Sequence, residues 1–252
     1  MSASFSGAWR RRPLAFAVAV LLACVTVTAA LLLNQQGVSG ADDGNGSGAF
    51  TKVGDGTLPT TRPELGSGRD PLSTDEVGYA IHVATSDASA AGATDVNGTS
   101  APEVLYVDLP EQAVKTKARS ALVVLYDYAT NSVLNQVVDL AAGKVATSTK
   151  GTNLQPPTTS TEADTAIEIA IRSEEALSFK KEFEASEGVP VISADQVEYV
   201  AGSWVYDGTT KSGQECGKQR CAQLMVSTAS GTYLSTFDFV VNLSTKSVVA
   251  TK

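Results

Sequence analysis

The hydrophobic pattern divides the chain into three zones. From Leu14 to Leu33, 20 consecutive positions carry no charge and are mostly apolar. As a helix rising about 1.5 Å per residue, that run is about 30 Å long, the thickness of a bilayer core. From Asn34 to Arg69, Gly, Ser, Asp, Thr and Pro dominate, which predicts a flexible linker. From Asp70 onward the apolar positions become periodic, and their period predicts the elements.

The first periodic unit is assigned to residues 70–150. Ser73-Thr74-Asp75-Glu76 is a capping-box signature, in which Ser73 caps the helix and Glu76 reaches back. Val77, Ala80, Ile81 and Ala84 then make one helical face. A loop-rich stretch, Ser86 to Ser100, ends the helix. Three strands are predicted next. The first has Leu105, Val107 and Leu109 alternating with Val104 and Tyr106; the second is Ala121 to Tyr128, and the third Ser132 to Leu140. Thr130-Asn131 turns the last two into a hairpin.

Gly151 to Ser160 is polar and carries Pro156-Pro157, the mark of a domain boundary. The second unit, 156–252, repeats the plan. Thr161 is read as the cap of a helix with Ala163, Ala166, Ile167, Ala170 and Ile171 on one face. A second helical segment, Glu174 to Ala185, groups Ala176, Phe179 and Phe183, and Gly188 and Pro190 stop it. Strands follow at Val197–Tyr206, Ala222–Thr228, Tyr233–Asn242 and Ser247–Thr251. In the third of these, Tyr233, Phe237, Phe239 and Val241 share a face. Val137-Val138-Asp139-Leu140 with Lys144-Val145-Ala146-Thr147 is echoed by Val240-Val241-Asn242-Leu243 with Ser247-Val248-Val249-Ala250-Thr251, which suggests duplication of one helix-on-sheet unit. The fold class is α+β: an N-terminal transmembrane helix, then two tandem helices-on-antiparallel-sheet domains.

Charge fixes the expected address. The only basic cluster, Arg10-Arg11-Arg12, lies in residues 1–13 directly before the apolar run at 14–33, and nothing basic follows until Lys52. The positive-inside rule therefore places the amino terminus in the cytoplasm and the body outside, as a single-pass protein of the cell membrane held through Leu14 to Leu33. Two other readings of the segment stay open. Leu21-Leu22-Ala23-Cys24 resembles a lipobox, which would make Cys24 a lipidation site, and Ala29-Ala30 offers a small-residue cleavage site. The apolar continuation Val25 to Leu33 favours the uncleaved signal-anchor. The whole chain carries −8, and its body is more acidic still once the three arginines are set aside. That excludes a nucleic-acid footprint.

Several stretches resemble the second and third amino-terminal domains of copper amine oxidases. Asp70-Pro71-Leu72-Ser73-Thr74-Asp75-Glu76 is similar to the opening of the second domain. Val123-Val124-Leu125-Tyr126-Asp127-Tyr128-Ala129-Thr130-Asn131, with Val137 to Val145 after it, is similar to the hairpin that closes that domain. Pro156-Pro157, the Thr161 helix and Val240-Val241-Asn242-Leu243 are similar to the third. The resemblance covers Asp70 to Lys252 and implies two small cystatin-like domains. In that family the chemistry belongs to a larger carboxy-terminal domain, with a quinone formed from the Tyr of a Thr-x-x-Asn-Tyr-Asp/Glu-Tyr motif and copper held by three His. Here Leu122 and Leu125 stand where the Thr and Asn belong, and the chain has a single His. The resemblance thus implies the family's non-catalytic domains without its catalytic one.

The remaining chemistry is sparse. His82 flanks the apolar face of the first helix and has no second His or nearby Cys as a co-ligand. Cys216 and Cys221 bracket a short loop between two strands, within disulfide reach in an exported body. Glu174-Glu175 and Glu182/Glu184 are read as a solvated helix surface, and Trp204 and Tyr206 as core or edge aromatics. No catalytic residue, metal site or cofactor is assigned, and no nucleic-acid partner is expected. The expected function is a non-catalytic interaction protein that binds a protein or cell-wall partner. The alternative is an accessory or truncated relative of a copper amine oxidase; an inhibitor with a cystatin-like wedge is a third class.

Overall fold

A computed structural model describes residues 58–68, 70–111 and 118–252. The expected signal-anchor, Cys24 and most of the expected linker lie outside the described residues. Among the described residues, no helix is long and apolar enough to cross a membrane.

The first unit is α1 (Thr74–Thr85) followed by β1 (Glu103–Asp108), β2 (Ser120–Asp127), β3 (Ser132–Asp139) and β4 (Lys144–Thr152). The strands form an antiparallel meander in the order β1-β2-β3-β4. Ala80 and Ala84 of α1 pack on Ala121, Val123, Leu125, Leu134 and Val138. The opposite face of the sheet buries Leu105, Val124, Tyr126 and Val133. The hairpin between β2 and β3 turns at Asn131, which takes a left-handed φ of 49°. β4 carries no apolar alternation in the sequence, because Thr147, Ser148, Thr149 and Lys150 are polar on both faces. As an edge strand it is almost wholly exposed. Lys144, Lys150 and a register shift beside Val138 keep that edge from templating further strands.

The second unit is α2 (Ser160–Arg172) and α3 (Leu177–Glu187), then β5 (Val197–Ser203), β6 (Cys221–Thr228), β7 (Tyr233–Leu234), β8 (Phe239–Asn242) and β9 (Ser247–Ala250). Its sheet runs β5-β6-β8-β9, with β7 also on β6. Ala166, Ile167 and Ala170 of α2 and Phe179 and Phe183 of α3 bury against Ala222, Leu224, Val226, Phe239 and Val241. Both units are thus helices on one face of an antiparallel sheet, and the fold is α+β.

Three expectations need correction. The cap of α2 is Thr159, not Thr161, because Thr159 is the residue whose hydroxyl meets an N3 glutamate, Glu162. The strand expected over Tyr233–Asn242 is broken between β7 and β8. There Thr236 turns inward and its hydroxyl donates to the Leu224 carbonyl at 2.6 Å. Tyr233 and Phe237 are consequently 79% and 74% exposed, while Phe239 and Val241 are buried, so the four do not share a face. Finally, residues 58–68, read by composition as linker, lie along the first unit. Leu65 packs against its core, Arg62 donates to the Ala141 carbonyl, and Pro59 sits close enough to Gly78 of α1 that no larger residue fits there.

The two units repeat each other in detail. Pro71, Ser73, Glu76, Ala80, Ile81 and Ala84 recur at equal spacing as Pro157, Thr159, Glu162, Ala166, Ile167 and Ala170. In each, the N3 glutamate is buried and paired with an arginine one residue before the second strand of the sheet: Glu76 with Arg119, Glu162 with Arg220. Arg119 Nε and Nη2 both reach Glu76 at 2.7 Å, and its remaining N–H groups reach the carbonyls of Asp70 and Pro71. Arg220 meets Glu162 through the same two nitrogens at 2.8 Å and the carbonyls of Pro156 and Pro157. After each third strand, Asp139 or Asn242 folds its side-chain oxygen back onto two backbone N–H groups of the turn. The duplication suggested by the terminal hairpins therefore extends through helix, cap, ion pair and turn.

The Arg119 hydrogen bonds hold the Glu76 carboxyl down at about 2, below its ordinary 4.5. The stabilisation from this pair is present above pH 4.5 and is lost as pH falls towards 2. Arg119→Ala leaves a buried carboxylate unpaired and is expected to cost about 3–5 kcal/mol. Urea unfolding at pH 7 measures that loss; a change under about 1 kcal/mol would show that solvent replaces the arginine.

Candidate functional site

The densest group of charged and aromatic side chains lies where the two units meet. All the described residues belong to one compact unit, and this seam joins its two halves. At its centre is the fully buried pair Glu162–Arg220. Thr159 N–H and Arg220 Nη2 donate to one carboxylate oxygen of Glu162; Arg220 Nε and the Tyr128 hydroxyl donate to the other. In the first unit the oxygen corresponding to Tyr128's acceptor takes the Gly66 N–H instead. The strap at 58–68 thus does for Glu76 what the first unit itself does for Glu162.

Tyr126 and Tyr128 bring the first unit to this point. Successive residues at the end of β2 alternate, so Tyr126 lies on the sheet face away from α1. Its ring meets that of Tyr128 edge-on at 4.8 Å. The Arg220 guanidinium lies 5.3 Å from the Tyr126 ring centre, within cation–π range. Burial pushes the Tyr126 hydroxyl up to about 12 and raises Tyr128 further, so both remain neutral donors. Leu125-Tyr126-Asp127-Tyr128, the partial match to a quinone motif, is therefore a packing and hydrogen-bonding element of the seam.

Two further groups cross the seam. Val96, from the loop after α1, is buried in the core of the second unit. Lys246, in the β8–β9 turn, donates to the Val96 carbonyl and lies 5.5 Å from the Tyr128 ring centre. Lys246 occupies the turn position that Gly143 fills in the first unit, and both have left-handed backbones, with φ of 56° and 64°. A lysine is disfavoured there, by about 1 kcal/mol. Its contacts with Val96 and Tyr128 offset that strain.

The disulfide pair is joined: Cys216 and Cys221 are bonded, with their Cα atoms 5.4 Å apart. Both are buried with Val240, against Trp204 and Val249, on the sheet face opposite α2. The bridge closes the loop that carries Arg220. Gln155 ties the same loop down by donating to the carbonyls of Gly217 and Gln219, and Asn242 donates to the Gln219 side chain. In the first unit the residue matching Cys221 is Ser120, as their pairings with Asn242 and Asp139 show.

The other sequence candidates lie apart. His82 is half-buried on α1. Glu174, Glu182 and Glu184 are exposed, and Glu182 accepts from the Ser235 N–H. Trp204 covers the disulfide, and Tyr206 N–H bonds the Cys216 carbonyl. An open cleft of about 740 Å³ runs along α2, past Asp164, Glu168 and Arg172, to Asn97 and Lys246. Among the described residues no cluster of His, Cys, Asp or Glu is arranged to hold a metal ion. Sequence reasoning missed Glu103, Arg119, Glu162 and Arg220. The recurring Ser/Thr-x-x-Glu caps carried the signal for the two partnered glutamates, but nothing local marks the arginines or Glu103.

No protein-family model and no curated protein sequence matches the chain. Among solved structures it is similar to a copper-containing benzylamine oxidase from Hansenula polymorpha, at 15% identity and a TM-score of 0.41. The match covers 73% of this chain and 29% of the oxidase, so the chain spans less than a third of that protein.

Replacing both Cys216 and Cys221 by Ala is expected to destabilise the protein by about 2 kcal/mol from loop entropy alone. The amides beside Arg220 should lose hydrogen-exchange protection before those beside Arg119. Equal loss at both arginines would show that the disulfide does not act through its own loop.

Proposed function

We infer that this chain is a membrane-anchored, extracytoplasmic, non-catalytic interaction protein built on amine-oxidase-like amino-terminal domains. One observation supports this most: the buried ion pairs hold the architecture, whereas the second sheet presents apolar side chains that no described residue covers. Val200 and Met225 are cross-strand neighbours, 55% and 51% exposed. Tyr233 pairs with Ser227, two residues along β6 from Met225, and so shares their face. Phe237, in the turn before β8, is exposed as well. Exposed aromatic and methionine side chains in one patch are the composition of a contact surface. The anchoring rests on the uncharged run Leu14 to Leu33 and on the arginines before it.

The test is a cross-linked affinity isolation of the tagged full-length chain from native membranes, beside a Tyr233→Ser/Phe237→Ser variant. The expected outcome is a partner retained by the parent chain and reduced at least tenfold by the variant. Equal recovery from both would remove the apolar face from the reading. Amine-dependent peroxide release from the isolate would make the chain an accessory of an amine oxidase, and stoichiometric copper in the purified chain would overturn the non-catalytic assignment.

A further inference from the structure

Glu103 is the one buried carboxylate of the seam without a cationic partner among the described residues. It opens β1 and is 7% exposed. The Thr159 hydroxyl donates to one of its oxygens at 3.0 Å, and the Val96 N–H approaches the other at 3.4 Å. Arg220 is committed to Glu162 and the two proline carbonyls, and the Lys246 ammonium to the Val96 carbonyl. In the first unit Arg119 pairs with Glu76, and Asp70, the other carboxylate acting on it, is exposed.

We propose that Glu103 makes the seam a pH-sensitive joint, closed when its carboxyl holds a proton and loosened when it ionises. Every element around it bears on that proton. The loop after α1 brings the Asp95 carboxylate, and α2 brings Glu162; both oppose a third negative charge. Tyr128, from the end of β2, is a neutral hydroxyl facing the same group. Lys246, from the β8–β9 turn, is the cation facing it, and Arg220 lies behind Glu162. Burial first, and then the Glu162 charge, raise the Glu103 carboxyl to about 7 from its ordinary 4.5. The sign follows from linkage. A closed seam holds the proton up to about pH 7, whereas an opened one releases it near 4.5. Closure is therefore favoured at low pH and weakens as pH rises between those values, levelling off above about 7. Burial lowers Lys246, which therefore disfavours closure while charged; its influence has the opposite pH sense, and the Asp95, Glu103 and Glu162 carboxylates partly counter it.

Hydrogen exchange of the full-length chain between pH 5 and 8.5, corrected for intrinsic exchange, reads the joint through the Tyr128 amide, which bonds the Thr94 carbonyl at 2.9 Å. Its protection is expected to fall on the order of a hundredfold across that range, while the Leu140 amide beside Arg119 holds steady. Glu103→Gln keeps the hydrogen-bonding shape without the charge and should flatten the profile. An unchanged profile in that variant, or an equal fall at Leu140, would overturn the proposal. If the variant does not fold, the carboxyl carbon resonance of Glu103 in the parent chain decides: titration near 7 upholds the joint, and titration below about 5.5 rejects it.

Discussion

A buried glutamate, held by an arginine from the next layer, is the constraint on which both halves of this protein depend. The glutamate belongs to a helix's first turn and completes a capping box. The arginine sits one residue before a central strand. Their two-pronged contact fixes where the helix begins, how the preceding proline segment lies and where the strand enters the sheet. An unpaired charge in this position would be strongly destabilising, since desolvation far exceeds what a lone hydrogen bond returns. Every donor and acceptor of the two pairs is therefore matched, by carbonyls ahead of the helix and by one further donor from outside the unit.

That last donor separates the two copies. In the first unit it is the Gly66 N–H of the strap; in the second it is the Tyr128 hydroxyl of the first unit. A duplicated unit thus uses one unfilled hydrogen-bonding position to join its copies. Other departures from the repeat gather around the same place. Lys246 replaces Gly143 at the left-handed turn and reaches Val96, and the disulfide closes the loop that carries Arg220, where the first unit has no cysteine. Glu103 adds a third carboxylate near the seam's centre, beside Glu162 and Asp95.

The consequence for function is a division of surfaces. Aromatic and charged side chains that would serve chemistry elsewhere here hold the two sheets together. The long free edge, β4, is polar and lysine-bearing, which discourages strand addition. The outer face of the second sheet is covered at one end by the disulfide loop and Trp204, and at the other it leaves Val200, Met225 and Tyr233 exposed. The proposed binding role rests on that contrast.

Much of this was legible in the sequence. Periodicity gave α1, α2 and most strands, because those elements bury one face and the buried positions recur at the period of the backbone. The Ser73–Glu76 cap was readable because all its parts lie within one turn. The Cys216–Cys221 bridge was readable for the same reason: the loop is too short to hold the two far apart. β4 escaped notice because an exposed edge strand has no apolar alternation to report. The break between β7 and β8 escaped because one inward threonine shifts the alternation without changing the composition. The strap escaped because Gly, Ser and Pro mark a tether equally well when their backbone is bound. The partners of Glu76 and Glu162 lie 43 and 58 positions away in the chain, and Glu103 meets Thr159 and Glu162 only once both sheets are in place. No local pattern encodes such pairings. Sequence alone determined which residues seek burial and where helices begin; only the tertiary structure decided which charges meet, because a buried carboxylate's partner is set by three-dimensional proximity.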